Sequence, residues 1–292
     1  KQQVQAIVDN VLAAYRVSIE GTTRMTPATR RQALDKLARY RTKIGYPSVW
    51  RDYSKLEVRA GDAFGNRMRA ARFNWRLQAA KADRAVDRDE WQFPPQTVDA
   101  MYDPMLNEIV FPAAMLQRPF FDPAADAAVN YGAIGANIAH EITHGFDQMG
   151  SQFDGEGKLR NWWADEDRRA FDALGARLVA QFDGYEALPG KRVNGKLTLT
   201  ENMADLAGVQ VAYRAYVRSL GGKEAPVIDG RTGTQRFFLA VAQFRRVKMR
   251  DEAMLQMLTS DPHAPHAYRA NGPAINTDGF HEAFGTKPGD AM

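Results

Sequence analysis

His140-Glu-Ile-Thr-His144 places two imidazoles four residues apart, with a carboxylate beside the first. On a helix, with about 100° between successive residues, the imidazoles stand roughly 40° apart and Glu141 falls within the same sector of roughly 100°. All three side chains then face one point. Tetrahedral zinc takes two such nitrogens, and the glutamate, too far off line to join the same coordination, can hold and deprotonate a water that the metal activates. The chain has only 5 His, so composition alone makes such a pattern a rare accident. Two surface histidines on an amphipathic helix are the plain alternative. Against it, Tyr131-Gly-Ala-Ile-Gly-Ala-Asn-Ile-Ala139 leads in with small and apolar residues suited to a buried helix, where unpaired imidazoles are costly. His281-Glu-Ala-Phe-Gly285 begins the same way but has glycine where the second imidazole belongs, and reads as an ordinary helix end.

A catalytic zinc needs a third protein ligand and an open position. With no cysteine in the chain, that ligand must be His, Asp or Glu. Leu199-Thr-Glu-Asn-Met-Ala-Asp-Leu-Ala-Gly208 offers the best candidate, since Glu201 and Asp205 share a helical face and enough chain precedes them for a returning helix. Glu201 would ligate, and Asp205 would hydrogen-bond the far nitrogen of a ligating histidine, fixing its orientation and raising its basicity. An acid at a helix start also suits the helix dipole. That simpler explanation weakens once the first helix requires a partner.

The remaining elements must position these groups. Residues 1–45 carry helical periodicity, with Val4, Ile7, Val8, Val11, Leu12 and Tyr15 on one face, then a second helix around Arg30–Ile44 after the turn at Thr26-Pro27, stopped by Gly45-Tyr-Pro47. Thr97–Tyr102 and Asn107–Phe111 read as short strands around Asp103-Pro104, and Pro112 ends the second. Gly145 marks the stop of the motif helix, and further helices are expected at Glu166–Phe182, Thr200–Leu220 and Arg236–Leu258. At 292 residues, 45% hydrophobic and 25% charged, the chain has the composition of a soluble globular protein able to bury a large core. It holds no apolar run of the roughly 18 residues that read as a bilayer span. Between Leu56 and Arg88, arginines interleave with Phe73 and Trp75, a pattern that single-stranded nucleic acid can use. Asp62, Asp83, Asp87, Asp89 and Glu90 dilute that charge, so a solvated helix face is the better reading and no nucleic-acid partner is expected.

His140-Glu-Ile-Thr-His-Gly-Phe-Asp147, Glu201-Asn-Met-Ala-Asp205, Asn107-Glu-Ile-Val-Phe-Pro-Ala113 and Asp261-Pro-His-Ala-Pro-His-Ala-Tyr-Arg269 stand in the order and spacing of the neprilysin-like zinc endopeptidases, and the resemblance runs through the whole chain. It implies an α+β, mostly α-helical fold, a thermolysin-like zinc peptidase domain with a small edge sheet. It implies one zinc per chain on His140, His144 and Glu201, with Glu141 as catalytic base and Asp205 supporting the first histidine. It also implies that His263 stabilises the oxyanion, that Arg269 holds a substrate carbonyl, that Asp99, Ala100 and Phe120 face the substrate, and that Asp147 belongs to the supporting shell. His266 is then a bystander. The oxyanion role makes independent sense, because amide hydrolysis builds negative charge that a positioned imidazole can stabilise, and Asp261 could orient or charge that imidazole. Arg269 offers a planar fork of donors.

Two positions depart from the family pattern. Asp99 stands where asparagine is usual, replacing a donor and acceptor with an acceptor only. Arg245, in Ala242-Gln-Phe-Arg-Arg246, stands where a pocket-lining tryptophan is usual, which together with Asn137 suggests tolerance of acidic or polar residues after the cleaved bond. Residues 1–60 read as the tail of an upstream helical domain and residues 61–292 as the catalytic domain, with Pro288-Gly-Asp-Ala-Met292 short of the family's usual end. The expected partners are oligopeptide substrates and that upstream domain, and no transmembrane segment is expected. The lack of cysteine suits a bacterial member at the periplasm or cell surface, with a cytoplasmic location the alternative. A metal-binding homologue that holds peptides with little turnover is the competing function.

Overall fold

A computed structural model of the chain describes residues 1–287, 289 and 290; Pro288, Ala291 and Met292, within the end segment singled out above, lie outside the described residues. The first helix, α1 (Gln2–Gly21), turns Val4, Ile7, Val8, Val11, Ala14, Tyr15 and Ile19 inward at the spacing of one helical face, while Leu12 is only partly buried. Thr26 caps α2 (Pro27–Ala38) by accepting from the Thr29 amide, with Pro27 in the first turn where a missing N–H costs nothing. The helix expected to continue to Ile44 ends at Ala38. In its place β1 (Arg41–Gly45) forms, and Gly45, at φ +87°, turns the chain out of it.

Residues 46–94 form one compact unit and residues 1–45 with 95–292 another. In the smaller unit, α3 (Ala63–Ala79) starts at Asp62, which caps Gly65, and buries none of its residues. Phe73 there meets Tyr53, and Trp75 stays exposed.

In the larger unit, β2 (Met101–Asp103) pairs antiparallel with β3 (Glu108–Pro112), and β3 pairs parallel with β1, giving the order β1-β3-β2. The central strand is buried throughout, as a strand flanked on both edges should be. The outer edge of β2 carries no strand among the described residues. The strand expected from Thr97 begins only at Met101; Asp99 and Ala100 precede it, and the Ala100 amide donates to Asp99 Oδ1 at 2.9 Å instead of to a neighbouring strand. Asn107 adopts φ +49°, which asparagine tolerates, and so lies in the turn before β3.

A helical stretch follows: α4 (Ala127–Asn130), one wide turn over Tyr131–Gly135, then α5 (Ala136–Thr143), which carries the zinc-type motif. Next come α6 (Asp165–Asp183), a hairpin of β4 (Glu186–Leu188) and β5 (Lys191–Arg192), and α7 (Leu199–Ser219). The chain ends in α8 (Gly233–Phe244), α9 (Asp251–Ser260), α10 (His266–Ala274) and α11 (Asp278–Phe284). The single helix expected over Arg236–Leu258 is thus two, broken at 245–250. The reading of 281–285 as a helix end holds, with Gly285 left-handed at the C-cap of α11. The fold is α+β and mostly helical, and among the described residues no helix is long and apolar enough to cross a membrane.

Candidate active site

Two close helix approaches build the site. A Cβ on Gly208 of α7 would lie 2.9 Å from His140 N and 3.1 Å from Ala136 O, so only glycine lets α7 lie this near α5. A Cβ on Gly132, in the wide turn, would lie 2.2 Å from Phe237 O of α8. Wide turns of this kind often sit beside functional sites because they re-aim the residues that follow. Behind α5, Tyr15 and Tyr40 donate to the carbonyls of Ala139 and Ile142, each at 2.8 Å, and Tyr15 also touches Thr143. The motif helix is therefore held by hydroxyls as well as by apolar packing.

The approach of α7 brings Glu201 to the two histidines. His140 Nε2 and His144 Nε2 are 3.1 Å apart; Glu201 Oε2 is 3.2 Å from the former, and Glu201 Oε1 is 3.7 Å from the latter. Tetrahedral zinc with bonds of about 2.0–2.2 Å sets its ligand atoms about 3.3–3.6 Å apart, so the three groups fit it. His144 Nδ1 lies 2.7 Å from Asp147 Oδ2. His140 Nδ1 lies 2.9 Å from Asp205 Oδ1, near enough for an ion pair but angled away from a good hydrogen bond. With each outer nitrogen facing a carboxylate, both Nε2 lone pairs are directed inward. Glu201 Oε2 is buried without a well-angled hydrogen bond although His140 Nε2 and His263 Nε2 lie 3.2 and 3.1 Å away, and a cation at this point would meet the open lone pair.

The charges agree with that fit. Burial would lower the His144 pKa, but the bond to Asp147 and the charges of Glu141 and Glu201 push it up to about 9. A site that draws a proton onto an imidazole so strongly also favours a metal cation. Burial would raise Glu201, yet His140 and His263 hold it well below the usual carboxylate range. Glu141 is 7% exposed, and burial raises its pKa despite the nearby histidines.

Asp205 does more than the sequence reading assigned it. Arg269 grips both its oxygens, Nε to Oδ2 at 2.6 Å and Nη2 to Oδ1 at 3.0 Å, and Arg245 adds Nη2 to Oδ1 at 2.6 Å. Burial would raise the Asp205 pKa, but the two arginines and His140 hold it far below the ordinary range. Two of the Arg269 donors are thus committed to Asp205. The Arg245 clamp had no local signal, since its partner lies 40 positions away in sequence.

His140, Glu141, His144, Glu201, Arg245 and Arg269 line one cavity of about 540 Å³, into which Asp99, Ala100 and Phe120 also reach. His263 Nδ1 is 2.8 Å from Asp261 Oδ1, and its Nε2 is 3.1 Å from Glu201 Oε2, a contact that raises its pKa while burial opposes. Asp147 also accepts from the amides of Met149 and Gly150, tying the loop after α5 to His144. His266, expected to stand aside, lines the cavity too, with a buried Nδ1 that has no partner among the described residues.

A family model described as Peptidase family M13 matches residues 99–292. The chain belongs to peptidase family M13. A second M13 model matches residues 1–47. Among M13 relatives, endothelin-converting enzyme 1 of Bos taurus is 36% identical over 302 residues, covering 100% of this chain and 40% of its own length. Neprilysin-3 of Drosophila melanogaster is 32% identical over 303 residues, covering 100% of this chain and 38% of its own. The chain thus spans about two fifths of the length of these relatives. The crystal structure of the Mycobacterium tuberculosis zinc metalloprotease Zmp1 in complex with an inhibitor is 48% identical and matches with a TM-score of 0.96, over 100% of this chain and 45% of that one. The neprilysin-like family read from the motifs and the M13 family are the same, and the expected fold class stands with it.

Proposed function

We propose that this chain is the catalytic part of a zinc-dependent endopeptidase that cuts internal bonds of oligopeptides. The observation that carries the proposal is the convergence of His140, His144 and Glu201 with Glu141 beside them in one cavity. Zinc bound there would supply Lewis-acid polarisation of the scissile carbonyl and a more acidic water.

The protein's own groups would do the rest. Glu141 takes the proton of the attacking water and passes it to the leaving amine; its raised pKa brings it nearer the value at which a base both accepts and returns a proton at neutral pH. An extended peptide adds to the open edge of β2 by main-chain hydrogen bonds, with Asp99, Ala100 and Phe120 alongside. His263, oriented by Asp261, and Arg269, oriented by Asp205, stabilise charge on the carbonyl oxygen as it forms. Asp147 holds the His144 imidazole in the tautomer that ligation needs, and Asp205 faces the outer nitrogen of His140 at ion-pair distance. Residues 1–60 belong in this reading to an upstream helical domain that would share the work, and absence of cysteine favours a bacterial envelope location.

Metal analysis of the purified chain and cleavage of a mixed peptide pool test the proposal together. About one zinc per chain is expected, with chelator-sensitive cleavage that disappears in Glu141→Gln while zinc is retained. Retained zinc without cleavage, even with the upstream portion supplied, would favour a silent peptide-binding homologue and sink the enzyme reading.

A further inference from the structure

The end of α8 brings a second cation to a carboxylate that already has one. Asp205 accepts from Arg269 through both oxygens and from Arg245 through Oδ1, so two guanidiniums share this carboxylate, on which His140 also draws, and Arg269 has a further approach to Glu201 at 3.7 Å. A guanidinium has five N–H donors in a rigid fork. Among the described residues Arg245 spends a single donor on Asp205, and its remaining polar contact is the face of Phe244, 4.7 Å from the ring centre. Its side chain is 11% exposed and lines the cavity, so its surplus charge is directed at the cavity and not at bulk water.

A second group on the same cavity is short of a partner. Asn137 stands one helical turn before His140, is only 9% exposed, and has an amide nitrogen with no hydrogen-bond partner among the described residues. A buried donor left unmade costs about 1–3 kcal/mol, so such groups are kept where something else completes them. Of the other carboxylates on the cavity, Glu141 and Glu201 converge on the metal position and act on Arg245 through their charge without a hydrogen bond to it among the described residues, Asp147 is bonded to His144, and Asp99 is exposed. Phe120 and Phe244, with ring centres 6.3 Å apart, supply an apolar wall beside the cation. The ligand that suits this set is a carboxylate on a short aliphatic stem. It would pair with the free fork of Arg245, accept from Asn137 and rest its methylenes on the rings.

We propose that Arg245 and Asn137 form a carboxylate subsite, and that the preferred substrates are peptides with a glutamate or aspartate side chain next to the cleaved bond. The assignment rests on the peptidase reading above and gives Arg245 a role in specificity in addition to its hold on Asp205.

The test uses the zinc-loaded chain and C-terminally amidated peptides identical except for Glu, Gln or Leu on either side of the cut bond. At one of the two positions kcat/KM for Glu should exceed that for Gln by about tenfold, the scale of one charge-assisted pair in a partly dry site. Arg245→Gln should bring that ratio to near one or below, and Arg245→Lys should restore part of it. If Arg245 serves only to clamp Asp205, Arg245→Gln slows all peptides alike and leaves the ratio unchanged, which overturns the assignment. Glu no better than Gln in the unaltered protein overturns it too. A peptide with Gln at that position and a free carboxylate directly after it checks the other source of the same chemistry, and a gain confined to it rules out the side-chain assignment. Should no peptide be cut, even with the upstream portion supplied, the peptidase reading fails. Calorimetric binding of the Glu and Gln peptides to zinc-loaded Glu141→Gln protein, with and without Arg245→Gln, then still decides the subsite.

Discussion

Replacing Gly208 by alanine separates what holds the protein together from what shapes the metal site. The added Cβ would stand 2.9 Å from His140 N and 3.1 Å from both His140 Cα and Ala136 O, where ordinary contact begins at 3.4 Å. These neighbours are backbone atoms of α5, so no rotamer change removes the clash and the helices must part by about half an ångström. Overpacking of this size costs about 1–3 kcal/mol. Alanine in place of glycine in a helix returns about 1 kcal/mol. The metal-free protein should therefore lose no more than about 2 kcal/mol. Zinc should be affected more, because α7 carries Glu201 and α5 carries both histidines, and metal sites tolerate ligand displacements of only about 0.2 Å. We expect zinc affinity to fall about 10–100-fold, the range seen when the shell around a metal ligand is disturbed. Competition against a chromophoric chelator measures the affinity, and urea unfolding with excess chelator measures the metal-free stability. Zinc affinity unchanged within about twofold, alongside a stability loss beyond about 3 kcal/mol, would refute the idea that helix spacing at Gly208 sets the ligand geometry.

Asp205→Asn removes the carboxylate that Arg245 and Arg269 share and leaves Arg269 its 3.7 Å approach to Glu201, and should lower stability by about 3–5 kcal/mol and weaken zinc binding, read by urea unfolding and chelator competition. Lys36, buried and donating to the carbonyls of Gly150 and Phe153, has its pKa lowered from 10.5 to about 8, chiefly by burial. Below pH 8 both folded and unfolded chains hold its proton; between about 8 and 10.5 only the unfolded chain does, so stability relative to Lys36→Met should climb across that window by up to about 3 kcal/mol. A flat difference in urea midpoints from pH 7.5 to 10 would contradict this. Zinc added to the metal-free protein should raise its melting temperature with the logarithm of free zinc, and His144→Ala should abolish most of that rise in a thermal scan.

What could be read from the chain follows the range over which each signal acts. The motif on α5 and the Glu201–Asp205 pair on α7 were legible because a helix makes neighbours of residues four apart, so the spacing is itself geometry. The end of α2 was not. Ile44 falls seven residues after Leu37, in step with a helix, whereas the strand that claims it pairs Arg41 with Glu108, far along the chain. The break after Phe244 has no proline or glycine to announce it, and the tie that holds Arg245 is again non-local. The resemblance singles out one imidazole, and the place of His266 on the cavity depends on where α10 begins.

Asp205 joins four helices through one side chain: its own α7, the His140 of α5, the Arg245 that caps α8 and the Arg269 of α10. Such a hub makes mutations interdependent. A substitution at position 245 that retunes side-chain preference also changes the field on Asp205, and through it the basicity of a metal-facing imidazole. Variants selected for a new cleavage preference at this position should need compensating changes at 205 or 269, and their effects should combine far from additively. The same wiring would slow evolutionary drift there, because a single step that alters what is bound also disturbs the group that does the chemistry.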